Sequence, residues 1–432
     1  MKTKPPIDRK TGLLLDAAAK RFNRHYATGR FTAALAESLQ ATRIAPRLAE
    51  PWADAAVCAI RLERWDDAIG YAQRARALGS NSLATLDALS HAYGGKLDWA
   101  AVRNWGTAAL QERRRQFDAP PPIAHHPAEL PPPPSPTSRQ QNLIAFSLFG
   151  EQAKYCECAV LNVAESPRLY PDWTCRFYID ESVPPGIVKR LQAGGGEICR
   201  VSPQQKQRLP GPMWRFLAYD SPGVQRVIFR DADSVISARE RTAVEAWIAS
   251  DKRFHLMRDS STHTELILAG LWGTVGGALP PMQTLLDAFL RQPVASAHFA
   301  DQHFLRQFVW PYASQSLLQH DSVFNFLDGL PFPDGPVSAQ QHVGCPEASA
   351  QLRIATDLPE GTPVVWTLYR IGETAGNRYQ LAVCRYPGIV CDGHLSDCLP
   401  RRYAREIEAG TMSIRIQERP AGTTTAQPAP AH

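Results

Sequence analysis

The chain has 432 residues, 44% of them hydrophobic, and a formal net charge of +5. That length supports two or three cores, and so small a charge excess excludes binding to nucleic acid driven by electrostatics. Arginines outnumber lysines 38 to nine, and no lysine follows Lys252. Biased codon usage accounts for this more simply than a preference for guanidinium forks on phosphate.

The apolar run Leu13–Leu15 is too short for a secretory signal. The longest uncharged stretch, from Leu266, is interrupted by glycines and by Pro280–Pro281, so it makes a poor membrane helix. Nine scattered cysteines suit reduced thiols. These features predict a cytoplasmic protein with no transmembrane segment.

The first predicted unit is a helical repeat over residues 13–116. Phe31, Trp65 and Trp99 stand 34 residues apart, and Ala34/Ala68/Val102 and Ala41/Ala75/Ala109 keep the same register. Small residues at fixed places let helices approach closely while the aromatic fills the gap beside them. This pattern resembles the tetratricopeptide repeat, and three repeats suffice for a stack that binds a protein partner. Gly94–Gly95 departs from the pattern. Residues 117–141 follow as a proline-rich extended linker; its His125–His126 pair reads as solvated.

From Asn142 strands and helices alternate. "NLIAFSLFG", "TCRFYID", "EICRV" and "VQRVIFRDADS" read as strands. A segment from Glu151 to about Glu165, "PPGIVKRLQAGGG" and "MWRFLAYD" read as helices. Such alternation predicts an α/β domain with a mainly parallel sheet over 142–345. Residues 346–418 predict a small β-rich region, with a hairpin in "VVWTLYRIGETAGNRYQLAVCRYPG", and residues 419–432 a disordered tail. Cys384, Cys391, His394 and Cys398 lie close in sequence but lack the tight C-x-x-C spacing of a zinc knuckle.

The chemistry centres on Asp231 and Asp233. About one D-x-D arises by chance in a chain of this composition, so context carries the weight. A buried strand precedes the pair, and Ser237 and Glu240 have the spacing of a helix capping box after it. Ligands of parallel sheets sit at the carboxyl ends of the strands. Two carboxylates there suit one hard cation, Mn²⁺ or Mg²⁺, shared with a diphosphate.

This order of elements, ending in "VIFRDADS", resembles the GT-A fold of nucleotide-sugar glycosyltransferases, and later segments are similar to the retaining family eight. The resemblance implies that Asp231 and Asp233 hold the metal, with Asp231 also able to reach the ribose. It places Asp301–Gln302 of "HFADQHFL" beside the reacting sugar carbon and His320 of "LLQHDSVF" as a further metal ligand. Gly270, in the expected strand "ELILAGLWG", would let the sugar approach the backbone. Arg215 and Arg258 are candidate phosphate contacts, and Asp259 or Asp301 a candidate base for an inverting reaction. The family's later Gly and Lys-Pro-Trp segment has no counterpart, which leaves the stereochemistry open. The expected function is sugar transfer from a nucleoside-diphosphate sugar to a glycan, lipid or protein acceptor. Two alternatives remain: a non-catalytic scaffold with a degenerate transferase domain, and a haloacid-dehalogenase-like phosphatase using D-x-D with a downstream lysine.

Overall fold

The computed structural model describes residues 8–129, 138–293, 297, 299–332, 341–374 and 377–419. Six helices come first: α1 (Arg9–Ala27), α2 (Phe31–Ile44), α3 (Glu50–Arg61), α4 (Trp65–Ala77), α5 (Leu83–Gly95) and α6 (Trp99–Phe117). Each packs on the next, which makes three hairpins. Phe31, Trp65 and Trp99 each open the second helix of a pair. The small residues three and ten positions later are all buried. Two residues before each aromatic, Gly29, Glu63 and Leu97 have φ of 69°, 55° and 60°. The 34-residue period therefore extends to the backbone, and puts two non-glycine residues in the left-handed region that their Cβ atoms disfavour.

The α/β domain follows with β1 (Asn142–Leu148), α7 (Ala153–Leu169), β2 (Thr174–Ile179), α8 (Pro185–Ala193), β3 (Glu197–Arg200) and α9 (Pro203–Arg208). Next come a 3₁₀ stretch (Gly211–Asp220), β4 (Arg226–Arg230), α10 (Ala238–Ile248), β5 (Phe254–Arg258) and β6 (Trp272–Val275). The domain continues with α11 (Met282–Leu290) and α12 (Ala300–Phe304). A π-turn (Leu305–Val309) links α12 to α13 (Trp310–Ala313), and β7 (Leu317–Asp321) closes the sheet. The strand order is β3-β2-β1-β4-β6-β5-β7. All neighbours are parallel except those of β6, which runs against β4 and β5. Every residue of β1 and β4 is buried, as in central strands covered on both faces.

Two local expectations change. "MWRFLAYD" forms a 3₁₀ rather than an α-helix, entered through Pro210 and Pro212. "ELILAGLWG" is not a strand up to Gly270: residues 265–271 are irregular and pairing begins at Trp272.

The last unit is a five-stranded antiparallel sheet, β8 (Ala350–Ala355), β9 (Pro363–Thr374), β10 (Asn377–Cys391), β11 (His394–Leu399) and β12 (Met412–Glu418), in the order β12-β9-β10-β11-β8. Its helix α14 (Arg401–Glu408) precedes β12. Glu157, fully buried on α7, fastens this sheet to the α/β domain. Its carboxylate accepts two bonds from Arg190 at 2.7 and 2.8 Å, one from the Tyr386 hydroxyl at 2.6 Å and one from Tyr403 at 3.2 Å. The proline run at 130–137 and the tail at 420–432 lie outside the described residues. Among the described residues, no helix is long and apolar enough to cross a membrane.

Candidate functional site

In the sheet, β1 is flanked by β2 on one side and β4 on the other, so the chain reverses its direction of winding between β1 and β4. The crevice beyond the carboxyl ends of these two strands is where an open α/β sheet binds its ligand. Asp231 is the first residue past β4 and Asp233 follows in the turn.

The turn is held from several directions. Asn162 of α7 donates to Ser234 O at 2.7 Å and accepts from the Ile236 N–H at 2.9 Å. The Ser237 hydroxyl accepts from the Glu240 N–H at 3.3 Å and starts α10. Glu240 in turn takes a buried bond from Arg230 at 2.7 Å, so strand end and helix start are tied together. Across the turn, the Asp233 carbonyl accepts from the N–H groups of Glu347 and Ala348 at 2.9 and 3.2 Å.

Arg215 is the centre of the site. Its backbone N–H donates to Ser147 Oγ of β1 at 2.9 Å. Its buried guanidinium donates to Asp231 Oδ1 at 2.5 Å, to Asp301 Oδ2 at 2.9 Å and to the Arg230 carbonyl at 3.0 Å. Burial alone would lower the pKa of Arg215, but Asp231 and Asp301 outweigh it and the group stays charged. The Asp231 side chain is 52% exposed and that of Arg215 only 3%. Asp231 thus faces the crevice from an anchored base.

Asp301 lies in the first turn of α12, and its other oxygen accepts from the Gln302 N–H at 2.8 Å. The Gln302 amide, oriented by its partners, donates to Ile267 O at 2.8 Å and accepts from the Ala269 N–H at 3.1 Å. It pins the segment that brings Gly270 to the site. A Cβ on Gly270 would lie 2.0 Å from Asp231 Oδ2 and 3.0 Å from the Asp231 nitrogen, so only glycine permits this approach.

Burial and the adjacent Asp231 charge push the Asp233 carboxyl up to about 6, while Lys154 and Arg215 act the other way. Two carboxylates that repel each other at a strand end are a place for a cation. Among the described residues, no three His, Cys, Asp or Glu side chains are placed to share one. Two carboxylates are the ligand type that a hard divalent ion takes, with its other ligands drawn from water and substrate oxygens.

The structure gathers Asp231, Asp233, Arg215, Asp301, Gln302 and Gly270, and engages the other candidates elsewhere. His320 is three strand positions from Asp231 across β6 and β5, roughly 14 Å. Its Nδ1 lies 3.0 Å from His255 Nε2 in a buried pair, and burial pushes it down to about 4. Arg258 is buried and spends its donors on Gln319, Glu265 O and Leu266 O. Asp259 accepts a bidentate grip from Arg239 at 2.8 Å and a bond from the Val343 N–H at 2.9 Å. Such a carboxylate is unsuited to take a proton from an acceptor. The expected roles of Arg258 as phosphate contact, Asp259 as base and His320 as metal ligand give way to these internal partners.

In the last sheet, Cys391 and His394 pair across β10 and β11 and Cys384 is buried in β10, with no metal-holding group among the described residues. His125 bonds to the Gly277 carbonyl at 2.7 Å instead of standing free in solvent. Lys252, the downstream lysine a dehalogenase-type phosphatase would need, precedes β5, which runs parallel to β4. It therefore sits at the amino-terminal ends of the parallel strands, opposite to Asp231.

No protein-family model matches the chain, and no curated protein matches it. Among solved structures it is similar to a point mutant of the O-GlcNAc transferase of Thermobaculum terrenum. That match has a TM-score of 0.24 and 15% identity, and covers 45% of this chain and 42% of that one. It is also similar to the 4-diphosphocytidyl-2C-methyl-D-erythritol synthase of Anaerococcus prevotii, with a TM-score of 0.26 and 9% identity, over 41% of this chain and 85% of that one. The chain spans less than half the length of the first of these. Scores this low carry no inference about activity, so the functional reading rests on the chain's own residues.

Proposed function

We propose that the protein is a metal-dependent glycosyltransferase that uses a nucleoside-diphosphate sugar. The observation that carries this is the Asp231–Asp233 pair at the switch point of the sheet, with Asp231 exposed to the crevice yet anchored by buried Arg215. Alternation of strands and helices up to an aspartate pair beyond the fourth strand is also what the GT-A resemblance implies.

In this reading Asp231 and Asp233 hold Mn²⁺ or Mg²⁺. When bound, the ion supplies Lewis-acid stabilisation of the leaving diphosphate. Arg215 holds the Asp231 carboxylate in place. Asp301 shares the same guanidinium and so stays on the site's wall. Gln302 is a positioning residue: its amide fixes the Ile267–Ala269 backbone, which places Gly270 against Asp231. The acceptor is a glycan, lipid or protein, and the helical stack offers a surface for a protein partner.

Titration calorimetry with UDP and GDP, with and without Mn²⁺, tests the reading. Binding that requires both Mn²⁺ and the two aspartates supports it and names the base. If wild type and Asp231→Ala/Asp233→Ala bind alike, or neither binds, the reading fails in favour of a scaffold.

A further inference from the structure

The segment from Ser260 to Gly270 has no helix or strand, yet most of it is buried. A buried irregular segment must have its polar groups satisfied from outside. Part of that support comes from its own domain: Arg258 donates to the carbonyls of Glu265 and Leu266, and Gln302 holds Ile267 and Ala269.

The rest comes from the helical stack. Ser90 of α5 donates to Ser261 O at 2.7 Å. Thr264 donates to Asp87 of α5 at 2.8 Å. Arg113 of α6 grips Asp87 with two bonds at 2.8 and 2.6 Å, and its Nε lies 3.3 Å from Glu265. Glu265 also accepts from Arg306 at 2.8 Å, on the turn that continues the helix of Asp301 and Gln302.

The departure at Gly94 belongs to this contact: a Cβ there would sit 2.0 Å from Ser261 Oγ. Gly106 gives α6 the same closeness to Phe324, again 2.0 Å from a built Cβ. Beside it Arg103 and Thr107 donate to the carbonyls of Val323 and Phe324 at 3.1 and 3.0 Å. The stack is thus docked face-on to the α/β domain.

We propose that the helical stack positions the donor site: Asp87, Ser90 and Arg113 hold Ser260–Gly270 so that Gly270 stays against Asp231. The link to donor binding rests on the transferase reading. Arg113 and Asp87 are positioning residues, and anything that bends α5 against α6 changes the wall of the site.

The test uses the full chain and amide hydrogen exchange read by mass spectrometry, with Mn²⁺ and UDP or GDP binding measured beside it. Gly94→Leu wedges the contact apart, Arg113→Lys loses the fork, and Ser90→Ala removes one bond while sparing the buried charges. Exchange in Ser260–Gly270 should rise about tenfold or more, with β1 and β4 unchanged, and nucleotide binding should weaken in the same order of variants. Unchanged exchange in the segment overturns the proposal, as does a freed segment with unchanged nucleotide binding. If wild type binds no nucleotide, the transferase reading fails by itself. The exchange arm then decides the positioning role: a rise in 260–270 upholds it and no rise sinks it.

Discussion

Replacing Arg215 with methionine removes the guanidinium that joins Asp231 to Asp301. The side chains of Arg215 and Asp301 are 3% and 10% exposed, so Asp301 is left buried beside an apolar group, and the Arg230 carbonyl loses a donor. Breaking a buried pair from one side costs about 3–5 kcal/mol. For a domain of this size, roughly 2–4 °C per kcal/mol, Tm should fall by about 6–20 °C. Asp301→Asn tests the pair from the other side. The double variant should be more stable than the sum of the single effects by about 1–3 kcal/mol, because the groups are in direct contact. Urea unfolding followed by circular dichroism measures all three. Additive effects, or an Arg215→Met cost under about 1 kcal/mol, would refute the view of Arg215 as the buried anchor of the site.

Other outcomes follow from the same geometry. Gly270→Ala should displace the Asp231 carboxylate and abolish metal-dependent nucleotide binding while the fold persists, measured by calorimetry and circular dichroism. Asp233 has a raised folded pKa of about 6, so its contribution is full below the unfolded value near 3.9 and is lost as pH rises through 6. Asp233→Asn should therefore raise the Tm of the protein without ligand by a few degrees at pH 7.5 and still lose nucleotide binding. His320 has the opposite sign. Its folded pKa of about 4 lies below the unfolded value near 6.5, so its stability term is present above pH 6.5. About 3 kcal/mol of it is lost as pH falls toward 4; His320→Phe should flatten that slope in pH-dependent urea unfolding. Glu157→Leu strands Arg190 and two tyrosine hydroxyls, costs about 3–5 kcal/mol, and should make the five-stranded sheet susceptible to limited proteolysis.

The elements that were legible in the sequence were those whose signal is local. β1 and β4 have short apolar cores, Leu143–Phe146 and Val227–Phe229, α10 carries its own cap, and the repeats keep aromatic and small residues in one register. What the sequence hid depends on distant partners. Residues 265–270 carry strand-like apolar residues, but Arg258 and Gln302 take the carbonyls of Glu265, Leu266 and Ile267, in place of a ladder. Asp259 looked available for proton transfer, yet Arg239, twenty residues earlier, neutralises it. His320 stands at a strand end as expected, but the antiparallel insertion of β6 places it away from the aspartates and beside His255. Gly94 reads as a departure from the repeat pattern, and Gly106 carries no signal of its own in the sequence. They mark where a second domain presses close, which no spacing within the repeats can reveal.

The central claim is that Asp231 and Asp233 share a divalent cation with a nucleoside diphosphate. Electron paramagnetic resonance of free Mn²⁺, titrated with protein in the presence and absence of UDP or GDP, reads this directly. One nucleotide and wild-type protein together should deplete the free six-line signal beyond what the nucleotide alone removes, and Asp231→Ala/Asp233→Ala should not. Equal depletion by wild type and variant, or none by either, would contradict the claim.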